Sequence, residues 1–247
     1  MSGFLPATAP LEVTNRNGGM AMSRMKAVTS FVVTVLVLAS LFGVVLCWGI
    51  SVPMAKASDD DPVQIKFVDD QIAFEFAGQV TNFPPTPPAP LGSSNQYGYL
   101  TVVRGIDNVF SGNPHNEATA VLTFFNEATT TESVSDGPLR INTRDGTTTI
   151  YLNNAPASFP NSDSFRSGIP VQTSTLHQQA IVDTAAGTFT AVFANTITST
   201  TSFTISGTTF RLGQIGQAFH ATVTGQLNAA PPPTGHFAGY AVGARKE

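Results

Sequence analysis

The candidate ligand-binding residues of this sequence are ionisable side chains that lie within predicted β-strands. An arginine donates paired hydrogen bonds to a carboxylate or phosphate, and a histidine ring can donate or accept hydrogen bonds near neutral pH. Side chains of these two types could bind an anionic or oxygenated ligand, or steer charge in a reacting substrate. The predicted set is Arg140, Arg144, His177, Arg211 and His220.

Residue alternation along the predicted strands places the arginines and His220 on the polar face of the sheet. In residues 139–144, Arg140 and Arg144 alternate with apolar side chains, and His220 does the same in residues 217–227. Successive side chains of a strand point to opposite faces. This polar face is the exterior if the sheet closes around a packed apolar core, and it lines a cavity if the barrel is wide.

The sequence contains none of the common catalytic or metal-binding motifs. There is no Gly-x-Ser-x-Gly, no His-Glu-x-x-His, no phosphate-binding loop and no dinucleotide fingerprint. The four histidines are far apart and lack the spacing of metal ligands. The acidic run 59–61 lacks the spaced carboxylates of a calcium loop. We therefore predict no metal and no cofactor, and we assign no catalytic residue.

The N-terminal part of the chain has the three parts of a secretory signal peptide. Arg24 and Lys26 precede the apolar run 31–50, and Ala55 and Ala57 occupy the two small positions of a cleavage site. Cleavage after Ala57 would leave 190 of the 247 residues. This pattern predicts a protein that is secreted or otherwise exported from the cytoplasm.

An uncleaved membrane anchor is the alternative for the same segment. The run 31–50 has 20 residues, which is enough to cross about 30 Å of hydrocarbon as a helix. The protein would then be tethered to the membrane through residues 31–50. No other contact with a membrane is predicted.

The composition after Ala57 excludes several classes of function. This part has 8 Lys and Arg against 15 Asp and Glu, a net charge of −7, so binding to nucleic acid is not expected. The one cysteine, Cys47, precedes the cleavage site. The mature domain is therefore cysteine-free, which excludes thiol catalysis and cysteine-based metal sites there. Thr, Ser, Asn and Gln fill the polar positions, which is typical of β-strands.

Turn and strand signals predict how the domain is organised. Two alternating runs around Asp69-Asp70 predict a hairpin, and Asp145-Gly146 predicts another. Residues 153–170 are predicted to form a functional loop or a cover over one end of the fold. The predicted divisions are an N-terminal extension with signal peptide (1–57), N-terminal strands (58–80), a Pro-rich connector that crosses one end of the domain (81–96) and the main antiparallel β-domain (97–247).

The predicted fold is all-β: a single antiparallel β-barrel of about 8–10 strands, preceded by an N-terminal signal or anchor helix. A β-sandwich is the alternative. Sequential hairpins favour the barrel, because closure removes the exposed edges of Thr-rich strands.

An export signal followed by a Gly-, Thr- and Phe-rich antiparallel domain without cysteine resembles the small barrels of calycins, allene oxide cyclases and dirigent proteins. The resemblance is one of fold, and no motif of those families matches residue by residue. Three functions follow as hypotheses. The first is a non-catalytic barrel that binds a small apolar or amphipathic ligand. The second is a cyclase or isomerase that uses a barrel cavity, and the third is a structural or surface interaction protein.

Overall fold

In the part of the chain that the structure describes, the alternating pattern of β-branched, aromatic and small polar residues forms eleven β-strands. The computed structural model describes residues 61–228 and 234–244, so the predicted signal segment lies outside the described residues. No helix in the described part of the chain is long and apolar enough to cross a membrane. The strands are β1 (Val63–Ile65), β2 (Ile72–Phe83), β3 (Ser93–Val103), β4 (Leu122–Asp136), β5 (Leu139–Leu152), β6 (Ile169–Asp183), β7 (Thr188–Thr200), β8 (Ser202–Ile205), β9 (Thr208–Leu212), β10 (Ala218–Asn228) and β11 (Thr234–Ala244).

Eight of these strands form a closed antiparallel barrel in the order β10–β11–β2–β3–β4–β5–β6–β7. Consecutive strands from β2 to β7 are neighbours, and β11 closes the sheet by pairing with β2, where Phe237 lies opposite Gly78. The predicted all-β barrel is confirmed, and the alternative β-sandwich is wrong. Closure pairs both edges of the sheet.

Apolar side chains fill one end of the barrel, and a second sheet covers that end. The second sheet has the order β1–β9–β8, with β1 parallel to β9. Phe67, between β1 and β2, contacts Phe74 and Phe219 with ring centroids 5.9 and 5.1 Å apart. Gln172 of β6 donates a hydrogen bond to the Leu212 carbonyl at 3.1 Å. These contacts join the second sheet to the barrel core.

Strand β5 runs without interruption through Asp145-Gly146, so the hairpin predicted there is wrong. A Cβ atom on Gly146 would collide with the backbone carbonyl of Glu127 on β4. Glycine at this position lets the two strands approach closely where the barrel coils. The turn between β4 and β5 is Gly137-Pro138 instead, with Gly137 at a φ of 56°.

The two N-terminal runs form strands that do not pair with each other, so the first predicted hairpin is also wrong. Strand β1 pairs with β9, where Val63 lies opposite Phe210, whereas β2 pairs with β3 and β11. Between them Asp70 adopts a φ of 60°, which helps the chain to change direction. Alternation predicts a strand and its two faces, but the partner of β1 lies far away in the sequence.

The long segment between β5 and β6 covers the outer wall of the barrel. Its short 3-10 helix, Ser162–Arg166, buries Phe165 against Tyr97, with ring centroids 5.3 Å apart. Thr123 donates a hydrogen bond to the Phe165 carbonyl at 2.8 Å. The Arg166 guanidinium lies 4.5 Å from the centre of the Phe125 ring. The segment therefore covers the side of β3 and β4, whereas the sequence predicted either a functional loop or a cover over one end.

Candidate functional site

A cavity of about 520 Å³ occupies the barrel lumen at the end where β2, β4, β6 and β10 finish. We call it the mouth cavity. Pro84, Pro85 and Leu91, from the loop between β2 and β3, line its outer part. The loop of the Pro-rich stretch comprises residues 84–92, since Thr81–Phe83 belong to β2 and β3 begins at Ser93. The outermost apolar side chains are partly open to solvent, since Phe83 is 39% exposed and Leu91 is 47% exposed.

The mouth cavity has one apolar wall and one polar wall. The apolar wall comes from β2, β6, β7, β10 and β11, and it consists of Val80, Ala180, Val182, Phe189, Leu227 and Phe237. The polar wall comes mainly from β4 and β5, and it consists of Thr130, Ser133, Arg140, Asn142 and Arg144. Both walls are built from inward-facing positions of strands, so the barrel holds them in a fixed relation.

Glycine positions on β10 and β11 make room for the aromatic part of the apolar wall. Phe189 of β7 lies beside Gly225 on the next strand, and a Cβ atom on Gly225 would lie 2.6 Å from the Phe189 ring. Phe237 is the other cross-strand neighbour of Gly225, and its ring centroid is 6.4 Å from that of Phe189. The space that a side chain at Gly225 would occupy is thus filled by two aromatic rings that face the lumen.

Arg144 is the buried cation of the polar wall. Its side chain is 8% exposed, its Nη2 donates a hydrogen bond to the Asn82 Oδ1 at 2.9 Å, and its Nε donates to the Thr130 hydroxyl at 3.3 Å. Both acceptors are neutral, and none of the three ion pairs among the described residues involves Arg144. Burial lowers the pKa of Arg144 to about 10, because the guanidinium loses hydration. A charge buried in this way is expensive unless an anion accompanies it.

A hydrogen bond between two buried glutamines forms the floor of the mouth cavity. Gln96 of β3 donates its Nε2 to the Oε1 of Gln178 on β6 at 2.9 Å, across the lumen. Below this bond lies a smaller cavity of about 30 Å³, which is lined by phenylalanines, Asn126, Thr148 and Asn195. The Oδ1 of Asn126 has no hydrogen-bond partner among the described residues. Deeper still, the lumen is packed with aromatic rings.

The structure brings two of the five predicted ligand-binding residues together in the mouth cavity, namely Arg140 and Arg144. The other three lie elsewhere. His177 is on the outer face, where its Nδ1 lies 2.7 Å from the Asp145 carboxylate, and His220 is exposed on the outer face of β10. Arg211 belongs to the second sheet and donates a hydrogen bond to the Ser202 hydroxyl at 3.1 Å.

The prediction that Arg140, Arg144 and His220 share one face of the sheet is wrong. The polar residues of β5 near its first end point into the lumen, whereas the polar residues of β10 point outward. The reason is that the inward side of β10 around His220 faces a packed interior, where Phe219 and Ala221 are buried, while the start of β5 faces the mouth cavity. The alternation of residues in a strand does not reveal whether its inward face borders a packed core or a cavity.

Sequence reasoning missed Gln96, Gln178 and Asn142 as residues of the site. A signal for Gln178 is present in the sequence, because it shares the face of Leu176, Ala180 and Val182 in β6. A polar residue that lies between apolar residues on the buried face of a strand has to find a polar partner inside the fold.

Among the described residues, no group of three or more His, Cys, Asp or Glu side chains could hold a metal ion. Comparison of the chain with protein-family models, with curated proteins and with solved structures gives no match. The mouth cavity is therefore the feature of the molecule that indicates a function.

Proposed function

We propose that this domain binds a small amphipathic ligand in the mouth cavity and does so without catalysis. The observation that supports the proposal is a cavity of about 520 Å³ with one aromatic and aliphatic wall and one polar wall. Binding sites for small molecules are typically concave, of about 300–1,000 Å³, and mainly apolar with a few placed polar groups. The mouth cavity has each of these properties.

The residues that line the cavity fit a binding role better than acid–base catalysis. Among the described residues, Arg140 and Arg144 are the ionisable side chains that line the mouth cavity. A guanidinium stays protonated near neutral pH and is a poor general base. A cyclase or isomerase that folds its substrate here would depend on Arg144 to stabilise developing negative charge. The amphipathic shape and the buried cation are sufficient for binding.

Filling the cavity with a large side chain tests the proposal. We expect the protein to bind the neutral fluorescent probe N-phenylnaphthylamine with a blue-shifted emission, and Ala180→Trp to weaken this binding at least about tenfold, because Ala180 is buried in the apolar wall. Gln179→Trp is the matched control, since Gln179 is exposed on the outer face of the same strand. Probe affinity is measured by fluorescence titration.

Circular dichroism establishes that both tryptophan variants are folded, and Val182→Trp, nearer the rim, replaces Ala180→Trp if that variant does not fold. The proposal is wrong if the wild-type protein does not bind the probe. It is equally wrong if the cavity-filling variant and the Gln179→Trp control bind the probe with the same affinity.

A further inference from the structure

We infer that the ligand of the mouth cavity is a monoanion, best a carboxylate, whose charged group enters first and binds Arg144 while its apolar body points to the rim. This inference depends on the proposed binding function, and it adds the charge and the orientation of the ligand. It is carried by the buried guanidinium, by the lack of Asp and Glu in the described lining and by the exposed apolar rim.

The hydrogen bonds of Arg144 leave part of its guanidinium for a ligand. Its Nε and Nη2 donate to the Thr130 hydroxyl and to Asn82, whereas its Nη1 has no hydrogen bond to any described residue. Gln178 lies directly opposite Arg144 on the neighbouring strand, so its side-chain amide adjoins the same space. A carboxylate placed there could accept a hydrogen bond from the Arg144 guanidinium with one oxygen and from the Gln178 side-chain amide with the other.

The charge of the lining indicates a single negative charge on the ligand. No Asp or Glu lines the mouth cavity among the described residues, and Arg144 is its one buried ionisable group. One carboxylate neutralises this charge, whereas a neutral ligand that fills the cavity would displace water from the guanidinium and leave it without a counter-charge. The other cation of the lining, Arg140, is exposed to solvent, so a dianion would bring a second charge into the cavity without a buried partner.

The depth of the polar and apolar groups sets the orientation. Arg144 is 8% exposed and Gln178 is buried, whereas the apolar Phe83 and Leu91 at the rim are 39% and 47% exposed. Phe189 and Leu227 belong to the apolar wall of the same cavity. A ligand that enters with its charge first places the charge on Arg144 and its apolar body on these side chains.

The test compares two ligands of equal length that differ in charge. We expect the wild-type protein to bind decanoate at least about 30-fold more tightly than decanol, which is about 2 kcal/mol at 1.4 kcal/mol per tenfold. In Arg144→Met the preference is expected to disappear, while Arg144→Lys retains part of it because the charge remains. Arg104→Met is the control, since Arg104 is exposed and outside the cavity. Affinities are measured by displacement of N-phenylnaphthylamine.

The orientation is tested with dansylaminoundecanoate, which carries a fluorophore at the end remote from its carboxylate. Charge-first binding leaves the dansyl group at the rim, so acrylamide should quench its emission readily. A dansyl group that is bound but shielded from acrylamide would overturn the orientation.

Two further outcomes separate this inference from the function on which it depends. If decanoate and decanol bind equally well and Arg144→Met changes neither affinity, the inference is wrong and the amphipathic binding site stands. If neither ligand nor N-phenylnaphthylamine binds, the proposed function itself fails.

Discussion

Replacement of Phe219 by alanine is expected to lower the free energy of unfolding by about 3–5 kcal/mol, the range for removal of a buried aromatic side chain. Phe219 is 1% exposed, and its ring centroid lies 5.1 Å from that of Phe67 and 5.9 Å from that of Phe74. It therefore packs in the filled end of the barrel and also contacts the segment that leads from the second sheet. Removal of the Phe219 ring leaves a cavity, because the strands of a closed barrel cannot move inward to fill the space.

Urea denaturation followed by circular dichroism measures this change. Ile215→Ala is the matched control, because Ile215 lies four residues away in the sequence and is 69% exposed. We expect the control to lie within about 0.5 kcal/mol of the wild-type protein. If Phe219→Ala were no more destabilising than Ile215→Ala, the filled end of the barrel would not be packed as described.

Gly146→Val is expected to destabilise the protein by about 3 kcal/mol, at the upper end of the range for overpacking. A Cβ atom at Gly146 would collide with the Glu127 carbonyl and would lie 2.8 Å from the Cα of Ala128. These are backbone atoms of the neighbouring strand, so relief requires β4 and β5 to separate.

Thr147→Val is the control for this substitution, since Thr147 is the next residue of β5 and is exposed on the outer face. Both variants introduce a valine into one strand, but only the first places it against backbone. Equal urea midpoints for the two variants would contradict the close approach of β4 and β5 at Gly146.

The fold class could be predicted from the sequence because alternation is a local property of each strand. Every strand of the barrel places inward and outward side chains in turn, and Thr supplies many of the outward positions. The pairing of β1 with β9 could not be predicted in this way, since it depends on where two distant segments meet. The hairpin prediction at Asp145-Gly146 fails for a related reason. Asp-Gly favours a tight turn locally, but a close approach of two strands also requires glycine, and the local sequence does not distinguish these two cases.

The site was only partly predictable because the inward-facing residues of a strand are no longer apolar where the lumen is not packed. Along β5 the inward positions begin with Arg140 and Arg144 and end with Ile150, so one face of one strand borders both the mouth cavity and the core. Inward-facing residues are expected to be apolar. Ile150 follows this rule, and Arg144 does not. Such failures of a local rule are expected at functional sites.

Nuclear magnetic resonance of the protein labelled with ¹⁵N, titrated with decanoate, tests the binding site most directly. The Nε–H signal of Arg144, the side-chain amide of Gln178 and the backbone amides of Phe189 and Leu227 are expected to shift together and to saturate. Signals of outward-facing residues such as His220 should stay in place. Shifts confined to the outer face of the barrel, or no saturable shift at all, would contradict ligand binding in the mouth cavity.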